Sequence, residues 1–115
     1  MNKIFDANEL IPVHATHPGL LIKDEIDCIG MTQKELAIKM DIAPNIVNEL
    51  IKGKRNISAA LSIKLESVLK IDAQYWMKLQ AQFEIHTIKI RQRDEINKLS
   101  ISNKIKRKLL SNAAM

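Results

Sequence analysis

Between Thr32 and Arg55 the chain reads Thr-Gln-Lys-Glu-Leu-Ala-Ile-Lys-Met-Asp-Ile-Ala-Pro-Asn-Ile-Val-Asn-Glu-Leu-Ile-Lys-Gly-Lys-Arg. No other stretch restricts the fold as strongly. Thr32 and Glu35 stand at capping-box spacing, so a helix starts at Gln33. Leu36, Ala37 and Met40 recur at helical spacing and face inward. Ala37 sits where two helices cross and a larger side chain would separate them. Asp41 falls at a sharp turn that wants a positive φ, which Asp tolerates better than most residues. Pro44 suits the first position of a second helix, where an N–H has no intrahelical partner. Val47, Leu50 and Ile51 form its buried stripe, and Gly53 ends it at a left-handed cap. The unit is a helix-turn-helix, and such a unit lays its second helix in the DNA major groove.

That reading divides the polar residues into two sets. Pro44, Asn45, Asn48 and Glu49 lie on the outer face of the second helix, with Ile46 at its edge, and form the candidate base-reading set. Asn pairs bidentately with adenine. Ile46 either meets a thymine methyl or packs on the preceding helix. Glu49 either accepts from cytosine or repels wrong phosphates. Thr32 and Gln33 at an amino-terminal helix end, with Lys52, Lys54 and Arg55, are the candidates for holding the DNA backbone.

The rest of the chain is also helical in pattern. Thr16 or His17 caps a first helix, with Pro18 just inside it. Leu21, Ile22, Glu25, Ile26 and Ile29 line its stripe, and Gly30 ends it. Ser58 caps a fourth helix to about Leu69, with Leu61, Leu65, Val68 and Leu69 inward. Asp72 caps a fifth, from Ala73 to about Gln92. Trp76, Leu79 and Phe83 face the core. Tyr75, Met77, Ala81, Ile85 and Ile88 spread apolar character over much of the remaining circumference, which is unusual for a helix buried on one side only. Met77, Ala81, Ile85 and Ile88 are therefore candidate contacts of a homodimer. The tail has Ile101, Ile105 and Leu109 at four-residue spacing, and Ser100 or Ser102 is placed to cap a short sixth helix. The expected organisation is an irregular segment over 1–15, a helix-turn-helix domain over 16–92 and a basic tail over 93–115.

Composition excludes several functions. Net charge is +5, but residues 1–88 carry ten Lys/Arg against eleven Asp/Glu, and residues 89–115 carry eight against two. The tail is therefore either solvated, a phosphate contact or part of the dimer interface. No paired carboxylates, Gly-rich phosphate loop or serine motif points to catalysis, so no enzyme is expected. His14, His17 and Cys28 fall short of a four-ligand zinc set, so neither metal nor cofactor is expected. Recognition of RNA by stacking wants aromatics on a sheet, and the chain has only Phe5, Tyr75, Trp76 and Phe83 and no strand pattern. The lone Cys28 forms no internal disulfide and is expected in or near the core of the first helix. No signal peptide or apolar run of membrane length is seen, so a cytoplasmic location is the default expectation.

Three segments outside the helix-turn-helix narrow the reading. His17-Pro18-Gly19 precedes the first helix, Ile57-Ser58 follows the basic loop, and Tyr75-Trp76-Met77-Lys78-Leu79-Gln80-Ala81-Gln82-Phe83 comes later. In this order and spacing, over about residues 14–88, the chain resembles the HigA-type antitoxins, or plasmid-maintenance antidote proteins, of the XRE/lambda-repressor-like superfamily. It departs from their pattern at Leu20, where an acid is frequent, at Asp41, where Gly is usual, and at Ala43, where Ser or Thr caps the recognition helix. The resemblance implies an all-α fold, a lambda-repressor-like domain of five helices with a basic C-terminal extension. It also implies operator binding with autorepression, and neutralisation by direct binding of a RelE/HigB-like toxin that cleaves mRNA. A solitary repressor without a toxin is the alternative. Asp6, Glu9, Asp24, Glu25 and Asp27 make residues 1–31 acidic, which suits an RNA-binding toxin. The same acids also read as the solvated face of the first helix.

Overall fold

The structure, a computed structural model, describes residues 11–99 and 103–113. Among them are six helices and no strand: α1 (Gly19–Cys28), α2 (Gln33–Met40), α3 (Pro44–Ile51), α4 (Ala59–Leu69), α5 (Ala73–Asn97) and α6 (Asn103–Ala113). The all-α expectation holds. No helix among the described residues is long and apolar enough to cross a membrane.

The chain divides into two compact units, Thr16–Phe83 and Met1–Ala15 with Glu84–Met115. The expected boundary at 92/93 therefore falls inside α5, which runs on to Asn97. In the first unit Ile22, Ile26, Leu36, Ala37, Met40, Val47, Leu50, Ile57, Leu65 and Trp76 make the core. Nearly all are aliphatic, so burial of branched side chains supplies most of its stability, at about 1.5–3 kcal/mol for each one fully buried. α3 packs on both α1 and α2, and α2 also on α4.

Local chemistry sets most helix ends. The Thr32 hydroxyl accepts from the Glu35 amide (3.1 Å), Ser58 from Leu61 (3.2 Å), and Asp72 from Gln74 (2.7 Å). The Thr32 cap is one-sided, since the return bond from the Glu35 carboxylate is not made among the described residues. α1 starts one residue later than expected, and of the two candidate caps it uses His17. Pro18 precedes it, and the cap is the His17 ring, whose Nδ1 accepts from the Gly19 amide (2.9 Å). Lys64 of α4 donates to the Met40 carbonyl at the end of α2 (2.9 Å), where a cation also suits the helix dipole.

Several side chains expected inside are outside. α1 ends at Cys28, so Ile29 leaves its stripe and lies exposed. Cys28 is exposed as well, not near-core. In the second unit residues 11–15 form no helix, Ile11 is buried and the Pro12 carbonyl accepts from Arg93 Nη1 (3.3 Å). Among the described side chains of α6 Leu110 is buried, whereas Ile105 and Leu109 are exposed. Ile101 and the expected caps Ser100 and Ser102 lie outside the described residues.

Candidate nucleic-acid interface

α2 and α3 meet through a turn that the sequence makes tight. Asp41 takes φ 54°, ψ 51°, and around it the Ile42 amide reaches the Ala37 carbonyl and the Asp41 amide reaches that of Ile38. These are the paired bonds of a Schellman turn. Ala43 is extended and Pro44 opens α3, but no side chain caps that end. The fold leaves Ala43 in the conformation of a cap without the oxygen. Ala43→Ser is expected to raise stability by about 1 kcal/mol. A urea midpoint that does not rise would show that this end is already satisfied.

The outer face of α3 carries the expected set. Pro44 and Asn45 are exposed, and Asn48 and Glu49 are half-exposed. Ile46 is partly buried against the core, which favours packing over a thymine contact. Two of these residues are held by candidates for backbone contact. Asn48 Nδ2 donates to Gln33 Oε1 (3.2 Å), so Gln33 orients the amide of a candidate base-reading residue. Arg55 Nε and Nη2 both reach Glu49 Oε2, at 2.7 and 2.6 Å. A second Schellman turn makes this possible. Gly53 has φ 73°, its amide reaches the Leu50 carbonyl, and the Lys54 amide reaches that of Glu49. The chain folds back over the end of α3, and Lys52, Lys54 and Arg55 are all exposed there. Thr32 is exposed at the start of α2 and its hydroxyl is occupied by the cap.

Two motifs outside the helix-turn-helix brace this surface. Gly19 lies against the Leu50 carbonyl of α3 so closely that a Cβ would overlap it. His17 packs beside Gly53 and stands edge-on to Phe83, with ring centroids 4.7 Å apart. Gln80, which sequence reasoning left without a role, is buried and accepts from the Ile57 amide (2.8 Å). A buried Gln one turn after Trp76 was the available signal, since a polar side chain on that face needs a partner. Burial holds the His17 imidazole below its ordinary 6.5, and the Arg55 backbone opposes the shift. Folding thus disfavours the charged imidazole of His17 relative to the unfolded chain. The contribution is fully present above pH 6.5 and is lost as pH falls through the folded value. Thermal midpoints are expected to drop between pH 7.5 and 5.5, and the drop should shrink in His17→Gln. An equal drop in the variant would assign the effect to other groups.

The candidate dimer and toxin residues are placed as follows. Met77, Ala81, Ile85 and Ile88 are all exposed on α5. An exposed Ile63 joins Met77, Ala59, Ala73, Ser62 and Gln74 around a shallow apolar groove between α4 and α5. Asp24 and Asp27 are exposed on α1 and Glu25 is half-buried, but Lys23 holds both carboxylate oxygens of Asp27 (2.7 and 2.8 Å). Asp6 and Glu9 lie outside the described residues. Among the described residues no cluster of three possible metal ligands forms, and His17 Nδ1 is committed to Gly19.

A helix-turn-helix family model matches residues 29–76, from just before α2 into the start of α5. The chain is 33% identical over 63 residues to the uncharacterized HTH-type transcriptional regulator YddM of Escherichia coli, covering 55% of this chain and 67% of that one. The chain belongs to the XRE-type helix-turn-helix family. It is also 37% identical over 73 residues to virulence-associated protein A′ of Dichelobacter nodosus, covering 63% of this chain and 64% of that relative's length. Among solved structures, the Pseudomonas aeruginosa antitoxin HigA, determined with the higBA promoter, superposes with a TM-score of 0.67 at 26% identity, over 78% of this chain and 98% of that one. The likeness to HigA-type antitoxins that the sequence carries is thus matched in the fold, and the family is a DNA-binding, non-enzymatic one.

Proposed function

We propose that this chain is an antitoxin that reads operator DNA through α3, represses its own operon and neutralises a RelE/HigB-like, mRNA-cleaving toxin by binding it. The carrying observation is the α2–α3 pair with Asn45, Asn48 and Glu49 facing outward above exposed Lys52 and Lys54. Asn45 and Asn48 supply base contacts, and the lysines and the start of α2 supply phosphate contacts. The exposed apolar residues of α5, extended by Ile63, support a homodimer. Its recognition helices would lie about 34–36 Å apart, one turn of DNA. Asp24 and Glu25, unpaired among the described residues, support an acidic toxin-facing surface on α1. Asp6 and Glu9 belong to the same proposal.

The test has two arms, because a solitary repressor would share the DNA face and lack the toxin. In the first, the chain selects from a randomised duplex pool, and the selected duplex is compared with a scrambled one. A preference of about a thousandfold or more is expected. Binding that depends on salt but not on sequence would refute operator reading. In the second, the chain is co-expressed with a RelE-type toxin encoded beside it. Rescue of growth, lost when Asp24 and Glu25 are reversed to Lys, is expected. No rescue would leave the repressor alone.

A further inference from the structure

We infer that the Glu49–Arg55 ion pair is a selectivity element that withholds Arg55 from the phosphates of unselected DNA. The inference rests on the DNA reading proposed above. Both guanidinium contacts fall on one carboxylate oxygen, Oε2. Among the described residues Oε1 accepts no hydrogen bond, so it stands free on the outer face of α3. The pair therefore does two things at the groove. It ties the one Arg of the basic loop to a carboxylate of α3, whereas Lys52 and Lys54 are exposed and make no ion pair among the described residues. It also places a carboxylate oxygen where a base edge would lie. On an unselected duplex both effects oppose binding, one cation fewer and one anion more. Where a base presents an exocyclic amino group, such as cytosine N4, Oε1 accepts from it and the opposition is offset. The pair is exposed, so it is weak as a stabilising contact. Its removal changes what the surface prefers more than how well the chain folds.

The distinguishing experiment measures salt dependence with a duplex selected from a randomised pool and with a scrambled duplex of the same length. Glu49→Gln is expected to bind the scrambled duplex about tenfold tighter near 0.1 M salt, with a slope steeper by about one, because Arg55 gains a phosphate. The selected duplex gains less, so the preference narrows. Arg55→Gln alone leaves the scrambled-duplex slope at the wild-type value, and Glu49→Gln with Arg55→Gln restores it. Asp24→Asn, an exposed acid on α1 with the same change in net charge, is the control. A Glu49→Gln variant that tracks Asp24→Asn overturns the inference while wild-type selection still stands. So does an Arg55→Gln variant whose slope falls by one, since Arg55 would then already be on a phosphate. A wild-type chain that selects no duplex removes the DNA reading and this inference together.

Discussion

Gly19→Ala is expected to destabilise the first unit by about 3 kcal/mol or more, with a fall of roughly 15 °C in the thermal midpoint. Propensity alone argues the other way, since Ala is preferred to Gly in a helix by about 1 kcal/mol. Contact decides the sign. A Cβ at Gly19 would overlap the Leu50 carbonyl oxygen and stand 2.8 Å from its carbon, with His17 Nδ1 at 3.0 Å. The first two are backbone of α3, so relief requires α1 and α3 to separate. That motion carries the recognition helix with it, and sequence-selective DNA binding should fall with stability. Gly30→Ala is the proper comparison. Its Cβ meets nothing within 4 Å, and only the positive φ of 72° resists it. If the two substitutions cost the same in urea unfolding, the close approach at Gly19 is not what holds it.

Replacing Asn45 and Asn48 together by Ala should lower the ratio of selected to scrambled DNA affinity by about a hundredfold or more. Each lost bidentate base contact is worth about 1–3 kcal/mol. Affinity for scrambled DNA should hardly change, because neither residue carries charge. Gln33→Ala should lose part of the same ratio through Asn48, whose amide it holds. A double variant that keeps its ratio would take base reading away from these residues.

Chain-local chemistry and tertiary packing decided different parts of this molecule. The starts of α2, α3, α4 and α5 and the stops of α2, α3 and α4 were legible because they depend on neighbours within four residues, whereas α5 runs past the expected Gln92 to Asn97. The Thr32, Ser58 and Asp72 caps act at that range, as do the left-handed turns at Asp41 and Gly53. Apolar spacing marked Leu36, Ala37, Met40, Val47, Leu50 and Trp76 as core for the same reason, since helical period alone selects a face. The outward set on α3 followed as the complement of that face. Resemblance pointed to Gly19 and to Gln80 without a physical reason for either.

Only the tertiary structure supplied those reasons. Gly19 is small because α3 lies against it, His17 has its pKa lowered because it is buried beside Gly53 and Phe83, and Gln80 is buried where the Ile57 amide needs an acceptor. The links from Asn48 to Gln33 and from Glu49 to Arg55 are of the same kind, joining residues whose meeting depends on how the chain turns between them. Cys28, Ile29 and Leu110 went against the sequence pattern for a related reason. A periodic stripe states which residues share a face, but packing decides how far along the helix that face is covered.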